Sequence, residues 1–308
     1  MWRMAQNELI NEVLAKTTNR RKMLQRLATA TAALGATMAT ENLGAQTPAG
    51  PSPVDVLQFA LNLEYLEAEF YSIATFGQTL ATRGIPITGS GTAGLTTSAF
   101  IGNPIAFGPG LQAVAQNITT DEMNHVILLR TVLTGAGVTP IAKPAINMDA
   151  LASVGAGLGN QTGFLILSRI FEDIGVSAYA GGAQFLSGSP YLTTAARILA
   201  VEGEHVGNIR YQIARLGIPT FAIDGADITP PSSVNANPTL NTALSFFSTN
   251  PTNGLCAIRT PGQVLYLAYG IGVDPKATTA GGGFFPAGVN GTLNTATTAA
   301  TAAGLALV

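Results

Sequence analysis

Charged residues are scarce in this sequence. Asp, Glu, Lys and Arg make up only 10% of its 308 residues, whereas an ordinary soluble domain carries about 25%. The formal net charge is -2, so the composition provides no basic surface for phosphate groups. We therefore expect neither nucleic acid nor an anionic membrane surface as a partner.

Cysteine and histidine are scarcer still. The single cysteine, Cys256, cannot form an internal disulfide, and a thiolate metal cluster would need several cysteines. We interpret it as a small, inert thiol. The only histidines are His125 and His205. This excludes sites built from three histidines and restricts any histidine chemistry to these two positions.

The first 45 residues are interpreted as an export signal. A basic segment at residues 19–24 precedes an uncharged Ala/Thr-rich stretch at 27–40, which is shorter than the about 20 residues of a membrane-spanning helix. Small residues follow at 43–45, as at a signal cleavage site. The pair Arg20-Arg21 resembles the twin-arginine class of signals. The resemblance implies the twin-arginine export machinery as a partner, a periplasmic or extracellular location and no stable membrane anchor.

Helical periodicity and a shift in composition divide the rest of the chain. We predict a bundle at residues 53–218 and, at 219–308, an irregular lobe rich in Gly, Thr and Pro. Ser52 or Asp55 is expected to cap the first helix, and Ser189 the fourth, with a proline at its first position. The predicted helices of the bundle cover residues 53–77, 111–134, 159–186 and 190–216. A loop at 78–109 joins the first two, and a connection with a short turn near Asp149 joins the second and third. In the C-terminal lobe, a capping box at Thr260 and Gln263 predicts a short helix near 260–270.

Each histidine follows a glutamate by three residues. The pairs are Glu122 with His125 and Glu202 with His205. Residues i and i+3 lie on the same face of a helix, so each pair can reach one metal ion. A two-metal site in a helical bundle needs one further glutamate from each of the other two helices.

Tyrosine spacing identifies those further glutamates. Glu64 precedes Tyr71 by seven residues, and Glu172 precedes Tyr179 by seven, which places each pair on one helical face. We therefore predict metal ligation by Glu64 and Glu172, with the two tyrosines bonded to the carboxylates. Asp121 is expected to orient a histidine. Glu67 stays open as a ligand or a neighbour of the ligands, whereas Glu69 and Glu204 are expected to be solvated.

Several segments together resemble one family. They are LNLEYLEAEFY at residues 61–71, DEMNH at 121–125, EGEH at 202–205, RTPGQV at 259–264 and GGGFFPAGVNG at 281–291. The chain resembles the ferritin-like superfamily, and within it the exported bacterial proteins related to plant desiccation-related proteins. The resemblance implies an all-α fold, a ferritin-like up-down four-helix bundle with a long crossover, plus the irregular C-terminal lobe. It also implies two bound metal ions, iron or manganese.

Three functions remain as alternatives. The first is a di-iron protein that oxidises Fe(II) with oxygen or peroxide in envelope stress defence. The second is an exported structural or desiccation-protective protein with a vestigial or structural metal site. The third is peroxide dismutation like that of manganese catalases, which is disfavoured because those enzymes usually space the second Glu and His differently. Whether the chain is an enzyme and whether it forms a homo-oligomer stay open.

Overall fold

Four long helices form the core of the computed structural model, which describes residues 50–233, 246–250 and 252–305. The first helix packs mainly against the second and the third against the fourth, and the predicted all-α fold is confirmed. The predicted export signal lies outside the described residues. No helix in those ranges has the length and hydropathy needed to cross a membrane. The helices are α1 Pro53–Phe76, α2 Pro109–Gly135, α3 Gln161–Gly182 and α4 Leu192–Leu216.

Helix α1 is the central helix of the molecule. Ser52 caps its first turn, and Asp55 completes a capping box by bonding back to the Ser52 backbone. Gly77 ends the helix in the left-handed conformation at φ 66°. Every residue from 56 to 75 is buried, as expected for a helix whose apolar residues occur on all sides.

The burial of α1 overturns the prediction that Glu69 is solvated. Glu69 has 0% exposure and accepts a hydrogen bond from the Leu80 backbone N–H at 3.0 Å. Its second oxygen lies 3.6 Å from the ammonium nitrogen of Lys143. The prediction was wrong because it assumed a helix with a solvent face. Glu204, by contrast, is exposed as expected.

The junction between α3 and α4 also differs from the prediction. The α-helix ends at Gly182 and continues as a 3-10 turn, Ala183–Leu186. The Ser189 hydroxyl donates to the carbonyl of that turn's last residue at 2.7 Å, so its side chain closes the turn instead of capping α4. Helix α4 therefore begins later than expected, at Leu192, after Tyr191, which provides no side-chain cap.

The two long connections of the bundle pair with each other. Strands β1 (Thr96–Thr97) and β2 (Ile146–Asn147) are parallel. Close approach depends on Gly94, where a Cβ atom would lie 2.2 Å from the Ala145 backbone nitrogen. The turn expected near Asp149 is the 3-10 segment Ala152–Val154. The loop and the crossover thus act together as one cover over the bundle.

The C-terminal segment joins this cover to α1. Its short α-helix, α5 (Pro261–Ala268), has the predicted capping box. Further along, Asn62 on α1 donates from Nδ2 to the Asn290 carbonyl at 2.8 Å and accepts from the Asn290 N–H at 3.1 Å. Asn290 Nδ2 also donates to the Ala142 carbonyl at 2.8 Å. One asparagine of the tail therefore connects the central helix with the crossover.

A buried ionic network links α3, α4 and the segment after α4. Asp173 Oδ2 lies 2.8 Å from Arg169 Nε and 2.7 Å from Arg210 Nη2. Asp227 Oδ1 accepts from Arg169 Nη2 at 2.6 Å. All four side chains are at most 4% exposed, so each charge depends on its partners.

Candidate metal centre

The six predicted ligands come together in the interior of the bundle. Each of the four helices contributes at least one of them, because the glutamates and histidines project from the facing sides of the helices. The four carboxylates have 0% exposure and the imidazoles 6–7%. The residues are Glu64 on α1, Glu122 and His125 on α2, Glu172 on α3, and Glu202 and His205 on α4.

The donor atoms form two overlapping groups. The first group adds Glu64 and His125 to Glu122 and Glu202, and its four donor atoms lie within 4.8 Å of one another. The second group adds Glu172 and His205 to the same two carboxylates. Glu122 and Glu202 therefore belong to both groups, which is the arrangement of carboxylates that bridge two ions. The structure sharpens the sequence prediction, in which each Glu-x-x-His pair served a single ion.

The histidines direct the same nitrogen, Nδ1, towards the carboxylates. His125 Nδ1 lies 3.3 Å from Glu64 Oε2 and 3.4 Å from Glu122 Oε2. His205 Nδ1 lies 3.1 Å from Glu122 Oε1 and 3.2 Å from Glu172 Oε2. Each group thus receives one imidazole nitrogen.

Asp121 lies behind one of the two histidines. Its Oδ2 is 3.3 Å from the outer nitrogen, Nε2, of His205, so it contacts the histidine of α4 although it belongs to α2. A carboxylate in this position fixes the ring orientation and the tautomer that leaves Nδ1 free for a metal ion. The residue before Glu202 is Val201, so the His125 side has no carboxylate at the matching sequence position.

The two tyrosines bond the carboxylates of each other's helix. Tyr71 on α1 donates its hydroxyl hydrogen to Glu172 on α3, and Tyr179 on α3 donates to Glu64 on α1. Each phenol fixes one oxygen of a carboxylate that belongs to only one donor group. The spacing of seven residues predicted that the tyrosines lie beside the carboxylates. It did not predict that each tyrosine bonds the glutamate of the other helix.

The unsatisfied polar atoms test whether these residues suit metal ions. Within the described ranges, both oxygens of Glu122, both of Glu202, Glu64 Oε2 and His125 Nδ1 are buried without a hydrogen-bond partner. Buried polar atoms are almost always paired, because leaving one unpaired costs about 1–3 kcal/mol. These atoms all point into the two donor groups. Four carboxylates and two imidazoles suit iron or manganese, so the residues present fit a pair of such ions.

Comparison with known proteins agrees with this architecture. A family model described as "Ferritin-like domain" matches residues 52–215, which include the four bundle helices except for Leu216, and all six converging side chains. The chain belongs to the ferritin-like domain family. A search of curated proteins finds no significant match.

Burial and mutual contact shift the titration of the ferritin-like site in opposite directions. Burial raises the pKa of Glu64 to about 7, although His125 acts against it. Burial and the neighbouring carboxylates raise the pKa of Glu202 well above its usual value. Burial also acts on Glu122, but the close contacts and charges of both histidines outweigh it and hold its pKa well below the ordinary range. The histidines are affected in turn. Burial alone would lower the pKa of each histidine. Glu64 and Glu122 instead raise the pKa of His125 to about 12. Glu172 and Glu122 raise that of His205 to about 12.

We expect metal binding to release protons and to stabilise the protein more at higher pH. The stabilising contribution of Glu64 is complete below its unfolded pKa of 4.5 and is lost as pH rises through about 7. That of the histidines is complete below 6.5 and is lost as pH rises through about 12. A metal ion replaces these protons. The melting-temperature gain on adding Mn(II), measured by calorimetry, should therefore be larger at about pH 7.5 than at about pH 5.5; equal gains would contradict the prediction.

Glu67 lies beside the ferritin-like site without joining either donor group. It is 4% exposed and faces Gly175. Gly175 follows Glu172 by three residues, just as Glu67 follows Glu64 by three. A Cβ atom at Gly175 would lie 2.5 Å from Glu202 Oε2 and 3.3 Å from Glu67 Oε1. Gly175 thus makes room for both carboxylates. Sequence reasoning missed this glycine, although its position relative to Glu172 was a usable signal.

Proposed function

We propose that this ferritin-like domain binds two metal ions, iron in the first place, and oxidises Fe(II) with oxygen or peroxide. The observation that carries the proposal is the sharing of Glu122 and Glu202 between two four-donor groups. Two ions a few ångströms apart repel each other, and shared carboxylates offset that repulsion. Manganese is the second candidate, because carboxylate and imidazole ligands suit both metals.

The chain's own residues have distinct tasks in this proposal. Glu64 and His125 would complete the ligands of one ion, and Glu172 and His205 would complete those of the other. Bound iron would supply electrons for the reduction of oxygen or peroxide. The phenols of Tyr71 and Tyr179 hold one oxygen of each outer carboxylate, so the other oxygen is free for a metal.

The predicted export signal indicates where the proposed reaction would take place. An exported protein of this kind would act on oxygen or peroxide in the cell envelope or outside the cell. The twin-arginine class of signals serves proteins that are already folded, which fits a domain that binds its metal before export.

The deciding experiment combines metal content with turnover. The purified protein should hold about two metal ions per chain, and the anaerobically Fe(II)-loaded protein should oxidise iron on exposure to oxygen or peroxide. The double variant His125→Ala, His205→Ala should lose both properties because each group loses its nitrogen ligand. Glu204→Ala is the matched control, since that side chain is exposed on the same helix as Glu202. A metal content well below two that the histidine variant leaves unchanged would refute the proposal.

A further inference from the structure

A large cavity lies beside the metal centre, between the bundle and the C-terminal segment. Its volume is about 530 Å³, within the range of about 300–1,000 Å³ that is typical of small-molecule sites. Leu63 and Leu66 of α1, together with Ile170 and Ile174 of α3, form its inner wall. Leu267 of α5 lies on the opposite wall. The cavity is thus a product of the C-terminal segment packing on the bundle.

The wall of this cavity is largely apolar. Among the described residues that line it, Glu67 is the single charged side chain. Its carboxyl group lies at the inner end, next to Gly175 and therefore next to Glu202 of the metal centre. The wall is therefore mostly hydrocarbon, with the Glu67 carboxyl group at the inner end and Tyr266 as a second side chain that carries a polar group.

The mouth of the cavity is also apolar. Val154, Phe221 and Val273 line it and are 46%, 44% and 56% exposed. Exposed apolar side chains gathered at an opening mark a binding site more often than isolated ones do. Protein interiors are close-packed, so an internal space of this size is not an ordinary packing defect.

We propose that this cavity binds an aliphatic small molecule with one uncharged polar end, such as a medium-chain primary alcohol. The chain would contact the leucines and isoleucines of the wall, and the polar end would meet Glu67. A carboxylate end is disfavoured because the described lining holds no cation to pair with it and the metal-site glutamates lie just behind. The site requires no metal ion, so the proposal stands apart from the proposed redox function.

The test measures binding of 1-nonanol to the purified full chain by isothermal titration calorimetry. We expect saturable binding of about one molecule per chain, with a negative heat-capacity change from apolar burial. Nonanoate is the comparison ligand. It should bind about tenfold or more weakly, because its charge would be buried without a cation among the described lining residues. Absence of saturable binding, or tighter binding of nonanoate, would overturn the proposal.

Variants locate the site. Leu267→Trp should fill the cavity and weaken 1-nonanol binding about tenfold or more, whereas Leu95→Trp, at a position 83% exposed and away from the cavity, should leave it unchanged. Glu67→Gln keeps a hydrogen-bonding group and should retain binding, whereas Glu67→Leu should weaken it about three- to tenfold.

Two further measurements distinguish a filled cavity from a misfolded variant and from self-association of the chain. The melting temperature of Leu267→Trp, measured by calorimetry, should stay close to that of the unaltered protein, which shows that the variant folds. Sedimentation should show no change in association state with the ligand. If instead Leu267→Trp binds nonanol normally, or if the apolar mouth is covered by a second copy of the chain that the variant releases, the proposal is wrong.

Discussion

Replacing Glu202 with methionine should abolish two-metal binding and at the same time stabilise the metal-free protein. Glu202 belongs to both donor groups, so its loss removes a shared ligand from each ion. Without metal, both of its oxygens are buried and unpaired within the part of the chain that the structure describes. Relief of that burial is worth about 1–3 kcal/mol, or roughly 2–4 °C in melting temperature per kcal/mol.

The measurements are metal content and thermal unfolding with and without added Mn(II). The unaltered protein should gain stability from metal, whereas Glu202→Met should melt at one temperature in both conditions. Glu122→Met is the informative comparison. It removes the carboxylate that both histidines contact, so it should lose metal without the gain in metal-free stability. A Glu202→Met protein that is less stable than the unaltered metal-free protein would show that these carboxylates stabilise the fold by themselves.

Replacing Asp173 with alanine should destabilise the fold by about 3–5 kcal/mol. The substitution removes the carboxylate that lies between the buried Arg169 and Arg210, and breaking a buried ion pair by removing one partner costs about that much. Asp227 still contacts Arg169 and lies farther, at 4.0 Å, from Arg210. Urea unfolding of metal-free samples measures the effect.

The isosteric variant Asp173→Asn separates charge from shape. It keeps an acceptor for the arginines but removes the negative charge. Asp173→Asn should therefore be less stable than the unaltered protein and more stable than Asp173→Ala. Glu204→Ala, on an exposed position, should change the free energy of unfolding by less than about 0.5 kcal/mol. Equal stabilities of Asp173→Ala and Glu204→Ala would show that the network contributes nothing.

The convergence of the six side chains was predictable because their spacing obeys helical geometry. Two histidines in the whole chain, each three residues after a glutamate, restrict the site to one face of two helices. The tyrosine spacing favoured Glu64 over Glu67, and the structure brings Glu64 rather than Glu67 into a donor group. Local periodicity carries this information because ligands on one helix keep their relative positions whatever the helix packs against.

The remaining features depend on tertiary packing. Glu69 is buried because the loop and the crossover cover α1 on the side that periodicity assigned to solvent. The hydrogen bonds of Tyr71 to Glu172 and of Tyr179 to Glu64 require the relative placement of α1 and α3. Neither helix encodes that placement by itself. The cavity beside Glu67 exists only where the C-terminal segment meets the bundle, so no single stretch of sequence indicates it.

The hydrogen bonds between Asn62 and Asn290 have a consequence for the order of folding. They join residues 228 positions apart, and contacts over such separations form late because the loop they close is long. Until the tail arrives, the amide of Asn62 faces a partly formed interior without its partner. During synthesis this pairing cannot form before residue 290 has left the ribosome, so α1 reaches its final surroundings only after the bundle and the segment up to residue 290 have been made.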